Sequence, residues 1–199
     1  MTSPQVRSST LTVITGGARS GKSRQALERL SQHSQGAFVA TAEPFDEEMR
    51  SRIDAHRRER RDLLPELIEI EAPIDLAGSL DRLVSTKARI VVVDCLTVWL
   101  GNLHHHAGEA TIEALADLDH FAPIGALLDR LDAGLPFELV LVTNEIGLGL
   151  VPAEPRSRAF RDLAGRVNQA VAARAGELVL MVSGVPFGRR WIESAGGWS

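Results

Sequence analysis

A chain of 199 residues with one cysteine, Cys95, can form no disulfide within itself. That excludes a disulfide-stapled secreted scaffold, and a lone thiol fits a reducing compartment. Long apolar runs are also missing, since none approaches the roughly 20 residues of a membrane-spanning helix. The opening MTSPQVRSST has no apolar segment of the secretion-signal kind and reads as a loose tail over residues 1–10. A cytoplasmic location is the expectation. The net charge is small, −4, and gives no reason to expect broad nucleic-acid or anionic-membrane binding. Lysine is nearly absent: arginine supplies 20 of the 22 basic residues, and the two lysines are Lys22 and Lys87.

What is present is an ordinary globular composition, 44% apolar and 24% charged. The length suits one domain with a sizeable core, placed at residues 11–199. Apolar, β-branched runs recur between loop signals at 11–15, 37–41, 88–94, 138–143 and 177–182, with a weaker candidate at 66–70. Helical patterns fill 22–33, 46–61, 75–85, 109–132 and 156–175. Such alternation predicts an α/β fold with a mostly parallel sheet flanked by helices on both faces.

The first predicted strand runs into TGGARSGKS. Gly16, Gly17, Ala18, Arg19, Ser20, Gly21, Lys22 and Ser23 fit the phosphate-loop spacing of Gly, four residues, Gly-Lys-Ser. Strand before and helix after are the context this motif requires. The glycines let backbone N–H groups turn toward phosphate oxygens, and the helix N-terminus adds positive potential. Lys22 would reach the terminal phosphates, and the Ser23 hydroxyl would ligate Mg²⁺. A second ligand is expected as an acid at the end of another apolar strand. RIVVVDC offers Asp94 there, although an acid in that place also caps segments. The pair makes a purine nucleoside triphosphate with Mg²⁺ the expected ligand of a P-loop NTPase-type domain.

The stretch RIDAHRRERRD, 52–62, sets one histidine among arginines. Between 50 and 61, six arginines face Asp54 and Glu59. Met49, Ile53 and His56 are spaced i, i+4, i+7, so a helix from 46 to 61 puts them on one stripe, with His56 continuing its less polar face. Cations around an imidazole hold phosphate oxygens near it. The same residues would also serve as a solvated helix with a half-buried histidine. The run His104-His105-His106 has no metal-ligand spacing and no nearby cysteine, and an exposed loop is expected. His33 and His120 read as structural or surface residues. Trp99, Trp191 and Trp198 are too scattered for a base-stacking platform.

TGGARSGKS, VATAE, DEEMRSRIDAHRRERR, VVVDCLTVWLGNL, TNEIGLGLVP and FRDLAGRVNQAVAARAGELVLMVSG follow one another from about residue 11 to 185. In that order the chain resembles the bifunctional adenosylcobinamide kinase / adenosylcobinamide-phosphate guanylyltransferase family of cobalamin biosynthesis. The resemblance implies two reactions. One phosphorylates adenosylcobinamide with ATP or GTP. The other passes GMP from GTP through a guanylyl-histidine to the new phosphate, giving adenosylcobinamide-GDP and pyrophosphate. The family's nucleophile falls on His56, and its nucleotide contacts on Gly16 to Ser23, on Thr41, Ala42 and Glu43, and on Arg57, Arg58, Glu59 and Arg60. It also implies a homo-oligomer, a trimer. NEIG, at 144–147, either lines the corrinoid side or is a turn that needs its glycine. The family usually shows Arg-Pro and a tryptophan after the histidine region; here RRDLLPELIEIEAP displaces the proline and has no tryptophan.

Two other readings fit the phosphate loop alone: a small-molecule kinase without a guanylyl step, and a slow nucleotide-dependent switch. The conjunction of Lys22 and His56 separates them. A switch has no use for a histidine in a cationic cluster, and a simple kinase forms no GMP adduct.

Overall fold

In a computed structural model the described residues are 8–44, 47–106, 121–192 and 197–198. Among the described residues eight strands run β1 (Ser8–Gly16), β2 (Gly36–Ala40), β3 (Ile68–Glu71), β4 (Ile90–Asp94), β5 (Glu138–Val142), β6 (Ala175–Val182), β7 (Val185–Ile192) and β8 (Gly197–Trp198). They form one sheet in the order β3-β2-β4-β5-β1-β6-β7-β8. The six strands from β3 to β6 are parallel. β7 and β8 close that edge antiparallel. The helices are α1 (Lys22–Leu30), α2 (Glu47–Leu63), α3 (Leu76–Val84), α4 (Leu96–His106), α5 (Ala122–Asp132) and α6 (Pro155–Ala172).

The inner parallel strands β1, β2, β4 and β5 are apolar on both faces because helices cover both. On one face Val13, Val91, Val93, Leu139 and Leu141 pack with Leu80, Trp99, Leu127 and Val167 from α3 to α6. On the other, Ile14, Val92, Val140 and Val179 pack with Ala26 and Leu30 of α1. The six expected strands are all present. β1 starts at Ser8, inside the expected tail, where Ser8 N–H donates to the Arg174 carbonyl at 2.9 Å.

Three elements depart from expectation, α4, β7 and β8. The histidine run is not an exposed loop but the last turn of α4. Leu96, Trp99, Leu100 and Leu103 bury one face of that helix, and the Trp99 Nε1–H donates to the Ile74 carbonyl at 2.7 Å. Of the helix expected at 109–132, the described part is Ala122–Asp132; 109–120 lies outside the described residues. β7 was not expected at all. Its VPFGRRWI contains proline, glycine and two arginines, so alternation is hard to see. Ser183 and Gly184, with φ of 51° and 83°, turn the chain between Val182 and Val185 in the two-residue hairpin geometry whose twist suits paired strands.

β6, the last of the parallel strands, is tied to α1. Arg29 donates from Nη1 and Nη2 to the two oxygens of Glu177, at 2.7 and 3.0 Å, and Thr12 donates to the same carboxylate. The Arg29 hydrogen bonds hold the Glu177 carboxyl below the usual range, against partial burial. A depressed folded pKa contributes stability above the unfolded carboxyl pKa, lost as pH falls through the folded value. Glu177→Gln is therefore expected to melt at a lower temperature than the parent at pH 7. Melts followed by circular dichroism should show that difference closing as pH falls through the acid range.

Candidate active site

β1 ends at a glycine because nothing else fits. Gly16 has φ of 150°, and a Cβ there would stand 2.4 Å from the Met181 carbonyl oxygen. The loop then turns through Arg19 (φ 54°) and Gly21 (φ 97°) into α1. Lys22, the first residue of that helix, is buried at 7% exposure. Its Nζ donates to the Gly17 carbonyl at 2.6 Å and to Ser20 Oγ at 3.4 Å. The β6–β7 turn supports the loop from behind, Gly184 N–H donating to the Ser20 carbonyl at 3.0 Å.

The strand order decides what lies beside the loop. β5 pairs with both β1 and β4, so the carboxyl ends of all three strands share one edge. Asp94, at the end of β4, lies near enough to the Ser23 hydroxyl for it to stabilise the carboxylate. Burial pushes the Asp94 carboxyl up, while that hydroxyl and the charges of Lys22, Arg60 and His56 pull it down. Burial likewise pushes the Lys22 ammonium down, opposed by Cys95 and Asp94. Hydroxyl and carboxylate oxygens paired at the head of α1 are hard donors of the kind Mg²⁺ takes, and the residues present fit such an ion.

A cavity of about 530 Å³ opens between α1 and α2, lined among others by Ser23, Leu27, Glu28, His56, Glu59 and Arg60. His56 thus shares a cleft with the phosphate-loop serine. Its side chain is 66% exposed, with Nδ1 3.7 Å from a Glu59 oxygen. The expected stripe is corrected here, because His56 is not on the inward face. The inward residues are Ile53, Arg57 and Arg60, also spaced i, i+4, i+7. The side chain of Met49 lies outside those described. An arginine can face inward because β3 supplies the counter-charge. Arg60 donates to Glu69 at 2.8 Å and lies 4.1 Å over the Phe38 ring, and Arg57 pairs with Glu71.

The remaining sequence candidates divide. Arg58 and Arg19 are exposed. Thr41 is fully buried, its hydroxyl donating to the Cys95 carbonyl at 2.9 Å and accepting from Cys95 N–H at 2.7 Å, so its side chain links β2 to β4. Ala42 is half-buried beside it. Glu43 reaches His106 at 2.9 Å. Sequence reasoning missed a polar network under the loop. Thr15 donates to Glu145 Oε1 at 2.7 Å, and the Asn168 amide donates to the same oxygen at 3.3 Å and to the Asn144 carbonyl at 3.1 Å. Thr143 donates to Asn168 Oδ1 at 2.7 Å. The available signal was Asn168, the one polar residue among Leu163, Ala164, Val167 and Val171 on the buried stripe of α6.

A parallel sheet whose phosphate loop, strand-end aspartate and adjoining cleft meet at one carboxyl edge defines a P-loop nucleotide-binding protein. More specifically, residues 12–188 match the model of the cobinamide kinase / cobinamide phosphate guanyltransferase family, and the chain belongs to that family. The bifunctional adenosylcobalamin biosynthesis protein CobU of Escherichia coli K12 is 37% identical over 180 residues, covering 87% of this chain and 96% of the relative. The corresponding CobP of Pseudomonas aeruginosa is 40% identical over 176 residues, with 87% and 94% covered. CobU of Salmonella typhimurium is 36% identical over 182 residues, with 87% and 96% covered.

Gly16→Ala should abolish tight nucleotide binding, weakening it by at least about tenfold in calorimetric titration, because the Cβ must displace the loop from β6. Asp94→Asn gives a second expectation, for metal- and nucleotide-free protein. With its folded pKa raised, Asp94 destabilises the fold progressively as pH rises from the unfolded toward the folded value. The asparagine variant should therefore melt higher than the parent at pH 7, and the gain should vanish in acid.

Proposed function

We propose that this chain phosphorylates adenosylcobinamide with ATP or GTP and then transfers GMP from GTP to the resulting phosphate, giving adenosylcobinamide-GDP and pyrophosphate. The observation that carries the reading is the shared cleft of Ser23 and His56, beside the buried Lys22 and the half-buried Asp94. In the kinase step the acceptor hydroxyl oxygen attacks the γ-phosphorus and the bond to the β-phosphate oxygen breaks. Lys22, released from the Gly17 carbonyl, grips the terminal phosphates. Mg²⁺, held by Ser23 and Asp94, supplies charge neutralisation on the phosphates when bound. In the second reaction a His56 ring nitrogen attacks the α-phosphorus and pyrophosphate leaves. An oxygen of adenosylcobinamide-phosphate then attacks the same phosphorus, and the N–P bond breaks to free the imidazole.

Gly16 to Ser23 bind the triphosphate in this reading. Arg19 is an exposed cation of the loop itself and Arg58 an exposed cation on α2, while Arg57 and Arg60 already have carboxylate partners and act by fixing α2. Thr41 supports the edge from within, with Ala42 and Glu43 next to it. The working form is a homo-oligomer, a trimer, and exposed Val182, Val185 and Phe187 on the β6–β7 hairpin offer apolar surface for one. The setting is the cytoplasm, where a lone reduced thiol is ordinary.

The decisive experiment uses GTP labelled at the α-phosphate with Mg²⁺, followed by denaturation. An acid-labile, alkali-stable adduct is expected on the parent and not on His56→Ala, which should keep cobinamide-dependent phosphoryl transfer. Lys22→Ala should lower both reactions by about 100-fold or more. Label that persists on His56→Ala, or a parent that takes no label, overturns the guanylyl-histidine reading.

A further inference from the structure

The chain from 147 to 154 exposes apolar side chains while its backbone is held fast. Leu148, Leu150 and Val151 are 78%, 95% and 66% exposed. Yet Arg161 donates to the Gly147 carbonyl at 2.6 Å, and Arg158 donates to the carbonyls of Pro152 and Ala153. Glu154 caps α6, accepting from Arg156 and Ser157 N–H groups at 2.8 and 2.6 Å. The loop is therefore built to display these three residues, and a contiguous apolar display of that kind marks a binding surface.

Its place in the fold narrows what binds. The loop leaves the carboxyl edge at Glu145, whose N–H donates to the Gly16 carbonyl at 3.1 Å, so the surface starts at the phosphate loop. It lies on the α4–α6 side of the sheet, opposite the α1–α2 cleft that holds His56. Beyond it is a second cavity of about 510 Å³, lined among others by His104, Arg156 and Phe160. His104 meets the Phe160 ring edge-on at 5.8 Å. Apolar residues next to a cavity with ring and guanidinium donors match a broad macrocycle with apolar faces and an amide rim. A ligand of that width needs an open surface rather than an enclosed pocket.

We propose that the corrinoid acceptor docks here, its macrocycle on Leu148, Leu150 and Val151 and its amide rim over the cavity of His104, Arg156 and Phe160. Its hydroxyl-bearing arm then points along the loop toward the phosphate loop. Acceptor and nucleotide base approach the reacting phosphates from opposite faces of the sheet. The inference rests on the cobinamide reading of the preceding section.

The test measures KM for adenosylcobinamide, KM for the nucleoside triphosphate, and GMP-adduct formation from GTP alone. The double variant Leu150→Ser with Val151→Ser changes exposed residues, so folding is expected to survive, and Phe160→Ala probes the cavity separately. Each should raise the corrinoid KM about tenfold or more, with nucleotide KM and adduct yield within about twofold of the parent; Leu150→Met should restore the corrinoid KM. Unchanged corrinoid KM in both variants overturns the docking surface. So does loss of an oligomer on sedimentation with corrinoid KM intact, which would make the loop a contact with a second copy. A parent protein that neither takes label from GTP nor phosphorylates the corrinoid counts against the functional reading instead.

Discussion

A lysine ammonium withdrawn from water must be met by oxygen, and the carboxyl edge of this sheet is organised around that requirement. Lys22 is buried at the head of α1, and the Gly17 carbonyl, the Ser20 hydroxyl and the field of Asp94 receive it. For the carbonyl to turn toward the ammonium, the chain must leave β1 through Gly16, pressed against the Met181 carbonyl. For Asp94 to be near, β4 must lie one strand from β1 with β5 between them. A triphosphate then has only to replace oxygens that are already in place, which is preorganisation in its plainest form.

The same edge explains why buried polar residues sit where the hydrophobic pattern leads one to expect aliphatic ones. Thr15, Thr143, Asn168 and Glu145 satisfy one another under the phosphate loop. Thr41 and Asn102 do so between β2 and α4, where the Asn102 amide donates to the Thr41 carbonyl at 2.7 Å. Strand ends that converge on a ligand leave carbonyls and N–H groups without ladder partners, and these side chains supply them.

Much of this was legible from residues alone. IVVVD, LTVIT and ELVLV are runs that only a strand covered on both faces accommodates, and Gly16 to Ser23 identify their own loop. What escaped notice has physical reasons. CLTVWLGNL lacks the polar stripe that betrays a surface helix, since α4 is wedged between sheet and neighbours. β7 spends proline, glycine and arginines where alternation would show. The inward face of α2 is not legible from its own residues, because arginines face inward only where Glu69 and Glu71 of the following strand meet them.

The Arg60 anchor has one further consequence. Glu69 and the Phe38 ring grip α2 at Arg60, and His56 lies four residues toward its N-terminal end, about 6 Å along the axis. Arg57, the next residue after the histidine, is held to β3 as well, through Glu71. With α2 clamped one and four residues beyond it, the backbone under His56 is fixed, and the reach of the imidazole is set by its own two side-chain torsions.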